Sequence, residues 1–258
     1  MNKKALLLGI VFSLTALTGC GGGSSSSVAT TTAPTTRLMV TNNLRNYVTG
    51  DNIQYTLTGS INTAGVTTTV TGTAVDAFTI GNSPIDPKGV KRSLDKITMI
   101  GKFSNGSPFA ITANRYFNQN VLGNYNLYGD DSGVNAASNW ITTPVSGFVT
   151  QMKSPISFPS TWSNLYTLQN GDKVTENITV LGKATITIGL GSFETYKIQW
   201  NTSTTFALGG TDISKETDYV VPSIGLVKSS STTNSTDAAG VITTSKFNLV
   251  ASTTNIAF

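Results

Sequence analysis

The chain has one cysteine, Cys20, and no histidine among its 258 residues. The missing imidazole removes Ser-His-Asp and Cys-His catalysis, histidine-held zinc and haem, and the commonest general base. What remains for chemistry is oxygen. Glu176, Glu194 and Glu216 are the only glutamates, and glycoside hydrolysis needs two carboxylates flanking the scissile bond. Each lies in a strand-like run among polar neighbours, which reads as a solvated face, and their spacing pairs none of them. The run Asp130-Asp131-Ser132-Gly133-Val134-Asn135 crowds oxygens as calcium requires, with Asp130, Asp131 and Asn135 as candidate ligands. EF-hand spacing is absent, and a polar hairpin tip explains the same residues, so no metal and no cofactor is expected. Ser93-Leu94-Asp95-Lys96 fits Ser-x-x-Lys, but that nucleophile motif must open a helix and needs partner motifs missing here. No catalytic residue is expected. Tyr116, Tyr125 and Tyr128 cluster beside the Asp-rich run and are a candidate binding surface, with core packing as the default for such aromatics.

Cys20 itself is placed as an attachment point. Lys3 and Lys4 are followed by Ala5–Leu17, apolar except for Gly9, Ser13 and Thr15. These are the proportions of a secretory signal, too short to span a bilayer, which takes roughly 20 apolar residues. Gly21–Ser27 and the Thr-rich run to Thr36 behave as flexible coil. The stretch Leu17-Thr18-Gly19-Cys20 resembles the lipobox of bacterial lipoproteins. That resemblance implies a diacylglycerol on the Cys20 thiol, cleavage after Gly19, and membrane attachment through acyl chains on Cys20. The alternative is an ordinary buried cysteine. Gly21, not Asp, follows the cysteine; in enterobacterial lipoproteins an Asp there implies retention in the inner membrane, so the outer membrane is the expectation. The chain then divides into a signal at 1–19, a lipidated tether at 20–36 and one domain at 37–258.

Loss of the signal takes Lys3 and Lys4, leaving 15 of the 17 basic residues against 13 acidic ones. Nucleic acid would want a basic patch or stripe. The densest basic cluster, Lys88, Lys91 and Arg92, reads as a solvated loop, and no nucleic-acid partner is expected. The 42 threonines and 27 serines favour strands and turns. Period-2 alternation predicts strands at 53–61 and 66–80, joined as a hairpin. Further strands are expected at 94–103 and 108–117 around an Asn105-Gly106 turn, and near 125–128 and 148–156. Lys173–Ile188 reads as a long strand, or a hairpin bent near Leu181-Gly182. Strands at 193–206, 215–221, 226–233 and 241–251 follow. Thr41–Tyr47 is expected to form one helical turn. The fold class is all-β: an antiparallel meander curled into a half-open barrel or two packed sheets.

A second resemblance covers Gly189–Ser231. Gly191, Phe193, Tyr196, Lys197, Tyr219, Pro222, Gly225, Leu226, Val227 and Lys228 resemble a signature of uncharacterised secreted β-domains of bacterial lipoproteins. In it a Gly-x-Phe-x-x-Tyr-Lys strand precedes an aromatic, a proline and a Gly-Leu-Val-Lys strand. The likeness implies an antiparallel, curled sheet and no reaction, and the ten residues read as structural. Three functions stay open: an anchored envelope protein displaying a non-enzymatic binding or scaffold surface to a lipid, glycan or protein; a carrier of an amphiphile; and a polymer hydrolase with paired carboxylates.

Overall fold

The computed structural model of the protein describes residues 36–39, 41–81, 85–131 and 139–257. Its strands are β1 (Thr36–Arg37), β2 (Asn52–Thr63), β3 (Val66–Thr79), β4 (Ser93–Phe103), β5 (Pro108–Gln119), β6 (Tyr125–Asp130), β7 (Asn139–Thr143), β8 (Val149–Met152), β9 (Ser160–Leu168), β10 (Lys173–Ile188), β11 (Gly191–Thr205), β12 (Thr211–Val221), β13 (Gly225–Thr236) and β14 (Ile242–Thr254). The signal, the lipobox Leu17-Thr18-Gly19-Cys20 and most of the tether lie outside the described residues. Among the described residues none is helical. The turn expected over Thr41–Tyr47 is instead irregular chain, because its backbone groups find partners on distant strands rather than on one another.

Twelve antiparallel strands among the described residues close into a barrel in chain order, β2 to β7 and then β9 to β14. The meander is the expected one. Pairing of β14 with β2, from Thr243↔Thr63 to Thr254↔Ile53, carries it to full closure. Three strands were not anticipated: β7 and β9 of the barrel, and the two-residue β1, whose Thr36 lies in the expected tether. The seam between β6 and β9 is shared by β7 and the short β8, which pairs with β6 only. There the Thr150 carbonyl accepts from Trp162 Nε1 and Asn164 Nδ2, both at 3.1 Å. The bend foreseen near Leu181-Gly182 is a bulge between Val180 and Gly182 in one long strand. Beyond it β10 pairs with β11 alone, and β1 lies parallel to β11 at Ser192 and Phe193.

Alternation puts every second side chain inside. On β2, β3, β4 and β14 most inward residues are apolar, with Leu57, Val70, Met99 and Phe247 in one cluster, while Asp76 on β3 and Ser93 and Asp95 on β4 are inward and polar. Burying each apolar one contributes about 1.5–3 kcal/mol. On β12, β13 and β14 the inward rows turn polar: Asp212, Ser214, Glu216 and Asp218, then Ser229, Ser231, Thr233 and Ser235, then Thr243 and Ser245. Some of these groups hydrogen-bond across strands, as Thr233 Oγ1 does to Ser214 Oγ at 3.1 Å and Ser229 Oγ to Glu216 at 3.1 Å. The outward rows are polar too, for example Gln54, Thr56, Thr58 and Ser60 on β2 and Thr69, Thr71 and Thr73 on β3.

Residues 41–51 cross one end of the barrel as a cap. Leu44 N–H donates to Ser154 Oγ and Arg45 N–H to the Pro222 carbonyl. The Gln119 amide takes the Tyr47 N–H and gives to the Arg45 carbonyl. Tyr47 stacks on Phe78 with ring centroids 3.8 Å apart. Gly225 makes room for this ring. A Cβ there would sit 2.2 Å from Tyr47 Oη, and its φ is +117°. Gly225→Ala is therefore expected to lower stability by about 3 kcal/mol from backbone strain plus overlap, read as a drop in the urea midpoint. Adding Tyr47→Phe removes the clashing oxygen and should recover part of the loss. A Gly225→Ala chain as stable as the original would show that the cap does not pack there.

Candidate functional site

Beneath the cap lies a partly open cavity of about 100 Å³. Its polar wall is assembled by register. Asp95 on β4 faces Arg115 on β5, and Asp76 on β3 lies diagonal to Asp95 because Phe78 takes the direct pairing. Arg115 Nη2 donates to Asp95 Oδ2 at 2.5 Å, and the Tyr125 hydroxyl donates to the same oxygen at 2.8 Å. Asp218, on β12, lines the opposite wall near Trp200. The remaining lining is aromatic and apolar, including Tyr47, Tyr55, Ala74, Ile97 and Leu249.

Burial sets the electrostatics. It pushes the Asp76 carboxyl well above the carboxylate range, the neighbouring Asp95 adds to this through charge and a hydrogen bond, and Arg115 opposes it. Asp218 is pushed up to about 7 by burial, against the pull of Ser229, Glu216, Trp200 and Arg115. Burial works against the Arg115 charge as well, yet Asp95, Tyr125 and Asp76 hold that guanidinium firmly protonated. Asp76, buried and hydrogen-bonded to the neighbouring Asp95, thus keeps its proton to well above the usual carboxylate range. Carboxylates that share a hydrogen bond are closer than the roughly 5–10 Å that flanks a glycosidic bond.

The three glutamates go elsewhere. Glu176 and Glu216 are each 2% exposed, so the solvated-face reading is corrected: both point inward on a barrel whose interior is itself polar. Glu176 is saturated by Gln151 Nε2 at 3.1 Å, Asn164 Nδ2 at 2.8 Å and the Tyr166 hydroxyl at 3.1 Å. Burial still raises its pKa despite these three bonds. Glu216 accepts from Ser229 Oγ. Glu194 lies at the surface, with Lys183 Nζ at 3.3 Å and the Met39 N–H at 3.1 Å. Glu216 bonds Asp218 on its own strand, too close for a pair that flanks a glycosidic bond, and Glu176 and Glu194 are bonded to the non-carboxylate groups named above.

The Asp-rich stretch is a strand tie where it is described. Asp131 accepts from the Asn114 backbone and side chain, and Asp130 is paired with Arg115 in the β5–β6 ladder. Asn135 lies outside the described residues, among which no three or more Asp, Glu, His or Cys are arranged to hold a metal ion. The tyrosines are not a surface cluster: Tyr116 is buried against Trp140 and Tyr125 points into the cavity. Tyr128 lies beneath Arg92, whose guanidinium is 3.5 Å from the ring centroid. Arg92 is also not solvated. It is buried and bound to Asp86, which the lone-loop reading of Lys88, Lys91 and Arg92 missed.

Of the ten signature residues, Tyr196, Pro222 and Gly225 touch the cap. Phe193 and Val227 are core, the Tyr196 hydroxyl donates to Asn42 Oδ1 at 2.8 Å, and Pro222 offers its carbonyl to Arg45. Lys228 lies over Tyr219, its partner in the ladder, beside Leu226. Gly191 opens β11 at a φ of +126°, and Lys197 follows Tyr196 on the other face of the strand. The cavity residues Asp76, Asp95, Arg115 and Asp218 were not singled out from the sequence. The signal for them was present: Asp76 falls between Ala74 and Phe78, and Asp95 between Ser93 and Ile97, at inward positions of the alternation.

No protein-family model matches the chain, and no curated protein matches it. Two solved structures align with it distantly. One is a candidate exported protein with a YmcC-like fold from Bacteroides fragilis NCTC 9343, 11% identical, covering 83% of this chain and 99% of that chain at a TM-score of 0.35. The other is a candidate lipoprotein from Parabacteroides distasonis ATCC 8503, 13% identical, covering 83% and 98% at a TM-score of 0.33. Alignments at this level carry neither family nor activity to this chain.

Proposed function

We propose that this chain is an envelope lipoprotein: cut after Gly19, acylated on Cys20, tethered by residues 20–36 and ending in one non-enzymatic domain, 37–258, that binds a partner at the outer membrane. The observation that carries the reading is Leu17-Thr18-Gly19-Cys20, in order and directly after a basic start and an apolar run. The barrel's outer face supports it. A membrane-spanning barrel needs an outward apolar band about 25 Å tall. Here the outward rows are Thr, Ser, Asn, Gln and Lys, interrupted by single residues such as Ile100 and Ile213. Such strands stand in water, and attachment has to come from elsewhere in the chain. The cavity lends no weight to an amphiphile carrier, since ligand pockets run to about 300–1,000 Å³ and this one holds about 100 Å³.

Fractionation of expressing cells tests the anchor. The original chain is expected in the membrane fraction at its mature size. Cys20→Ser is expected in the soluble fraction or as unprocessed precursor. A Cys20→Ser chain that stays membrane-bound at mature size overturns the proposal.

A further inference from the structure

We propose that a pocket on the outer face of β6 and β7 binds a hydroxylated carboxylate of sugar size, a hexuronate. The inference names a ligand class for the barrel, so it rests on the reading of the barrel as a binding domain; it is independent of the anchor.

The outer rows are Thr- and Ser-rich on strands such as β2 and β3, but not here. Arg115 and Ile141 point inward, so alternation turns their neighbours Tyr116 and Trp140 outward. The two flank Gly129 in the ladder, and with no side chain between them their ring centroids lie 4.8 Å apart. Two short segments lie over this patch. One is residues 85–92, closed by the Ile85↔Lys91 bridge; the other is the turn in which the Gly147 N–H donates to the Pro144 carbonyl. Between them and Trp140 a partly open pocket of about 330 Å³ remains. That is within the roughly 300–1,000 Å³ of ligand pockets, a range the inner cavity does not reach.

The polar groups of the pocket set the chemistry of its ligand. Asp86 and Arg92 form a buried pair in the wall, 7% and 8% exposed. Asp86 is saturated: Oδ1 takes the Lys88 and Val90 N–H groups, both at 2.9 Å, and Oδ2 takes Arg92 Nε at 2.9 Å and Arg92 Nη2. It cancels the Arg92 charge and has no lone pair left for a ligand. The Lys88 ammonium is not cancelled, since no carboxylate of the described residues pairs with it. Instead the Val145 and Ser146 carbonyls each take one of its N–H groups at 3.2 Å and fix it at the pocket's edge. The third N–H is left over, and Arg92 Nη1 bonds no described group. One side of the pocket thus offers N–H donors and a net positive charge, which suits a carboxylate. A cationic ligand would meet Lys88 and a saturated Asp86. The rest of the rim suits hydroxyls. Thr142 and Ser146 donate to the Thr167 and Phe148 carbonyls and keep their oxygen lone pairs, and the exposed Gln169 amide both donates and accepts. Trp140 supplies an apolar wall for ring carbons. A hexuronate carries a carboxylate, hydroxyls and a ring together.

Calorimetry on the full chain in a detergent without a sugar headgroup, titrated with sodium glucuronate at pH 7.5, tests this. A saturable one-to-one heat is expected. Glucose, the same ring with no carboxylate, and acetate, the carboxylate with no ring, should each bind at least about tenfold more weakly, the share of one hydrogen bond to a charged group. Lys88→Gln should bring glucuronate down to the level of glucose. Thr142→Trp, which blocks the pocket and keeps every charge, should abolish the heat. Lys88 and Thr142 are both exposed, so each variant should keep the urea midpoint of the original. Absence of saturable heat with glucuronate, equal binding of glucose or acetate, or unchanged binding by either variant overturns the proposal. Each result leaves the fractionation of Cys20→Ser untouched, and a failed fractionation leaves this titration untouched.

Discussion

Replacing Arg115 by leucine is expected to destabilise the barrel by about 3–5 kcal/mol, the usual cost of stripping a buried ion pair of one partner. Arg115 is the cation that bonds the acid wall of the cavity, the other arginine of its lining, Arg45, being paired with Asp51. It bonds Asp95 directly and lowers the pKa of Asp76, Glu176 and Asp218 through its charge. Its loss leaves Asp95 with the neutral Tyr125 hydroxyl and the Asp76 carboxyl, and no counter-charge bonded to it. Arg115→Lys keeps the charge without the planar fork and should fall between the two. Adding Asp95→Leu to Arg115→Leu should return part of the loss, because the stranded carboxylate goes with it. Urea unfolding of the full chain at pH 7.5 reads all three. A cost under about 1 kcal/mol for Arg115→Leu would mean that the pair is solvated like a surface bridge.

Stability is expected to fall as pH rises from 4 to 7, the reverse of an ordinary acid-denatured protein. Asp218 has its usual value near 3.8 when unfolded and about 7 when folded. Below pH 4 it is protonated in both states and its contribution is complete. Between the two values the folded chain holds a proton that the unfolded chain has released, so stability drops by about 1.4 kcal/mol per pH unit. Above pH 7 both states are ionised and the loss, of order 4 kcal/mol, is constant. Asp76 and Glu176, raised chiefly by burial, act in the same direction. Asp86 acts oppositely. Burial would raise it, but the Val90 and Lys88 N–H groups and Arg92 hold it below its usual range. Its contribution is lost only in acid, below the ordinary carboxylate range. The urea midpoint should therefore peak near pH 4–5 and decline to pH 8, and Asp218→Asn should flatten the slope. A midpoint that holds level or climbs between pH 4.5 and 7.5 would rule this out.

The hairpins were legible because their cause is local. Alternating Ile53, Tyr55 and Leu57 and the Asn105-Gly106 turn, with Gly106 at a φ of +83°, carry their own instructions. β9 was illegible for a matching reason. Its inward residues run Asn164, Tyr166, Leu168, and Asn164 is buried only because Glu176 waits on the neighbouring strand. A polar interior breaks the link between apolar and inward on which pattern reading depends. The same inversion hid Glu216, whose inward neighbours are Ser214 and Asp218. The cap was illegible because Ser154, Pro222 and Gln119, its partners, lie far along the chain. The cavity could have been found by asking why Asp76 and Asp95 stand on the buried rows.

The way the strand ladders end governs how copies of this chain meet. An open sheet exposes N–H and C=O groups that template a neighbour's strand. Here β2 meets β14, and β1 covers β11 where β12 stops. The ladder of β10 past Val180 is paired on one side only; a bulge twists it and Lys183 charges it. Under the proposed anchoring through Cys20, copies would be confined to a plane and would collide far more often than in solution. Barrels blunted in this way would then tolerate crowding into such a layer as a two-dimensional fluid instead of seeding a fibril.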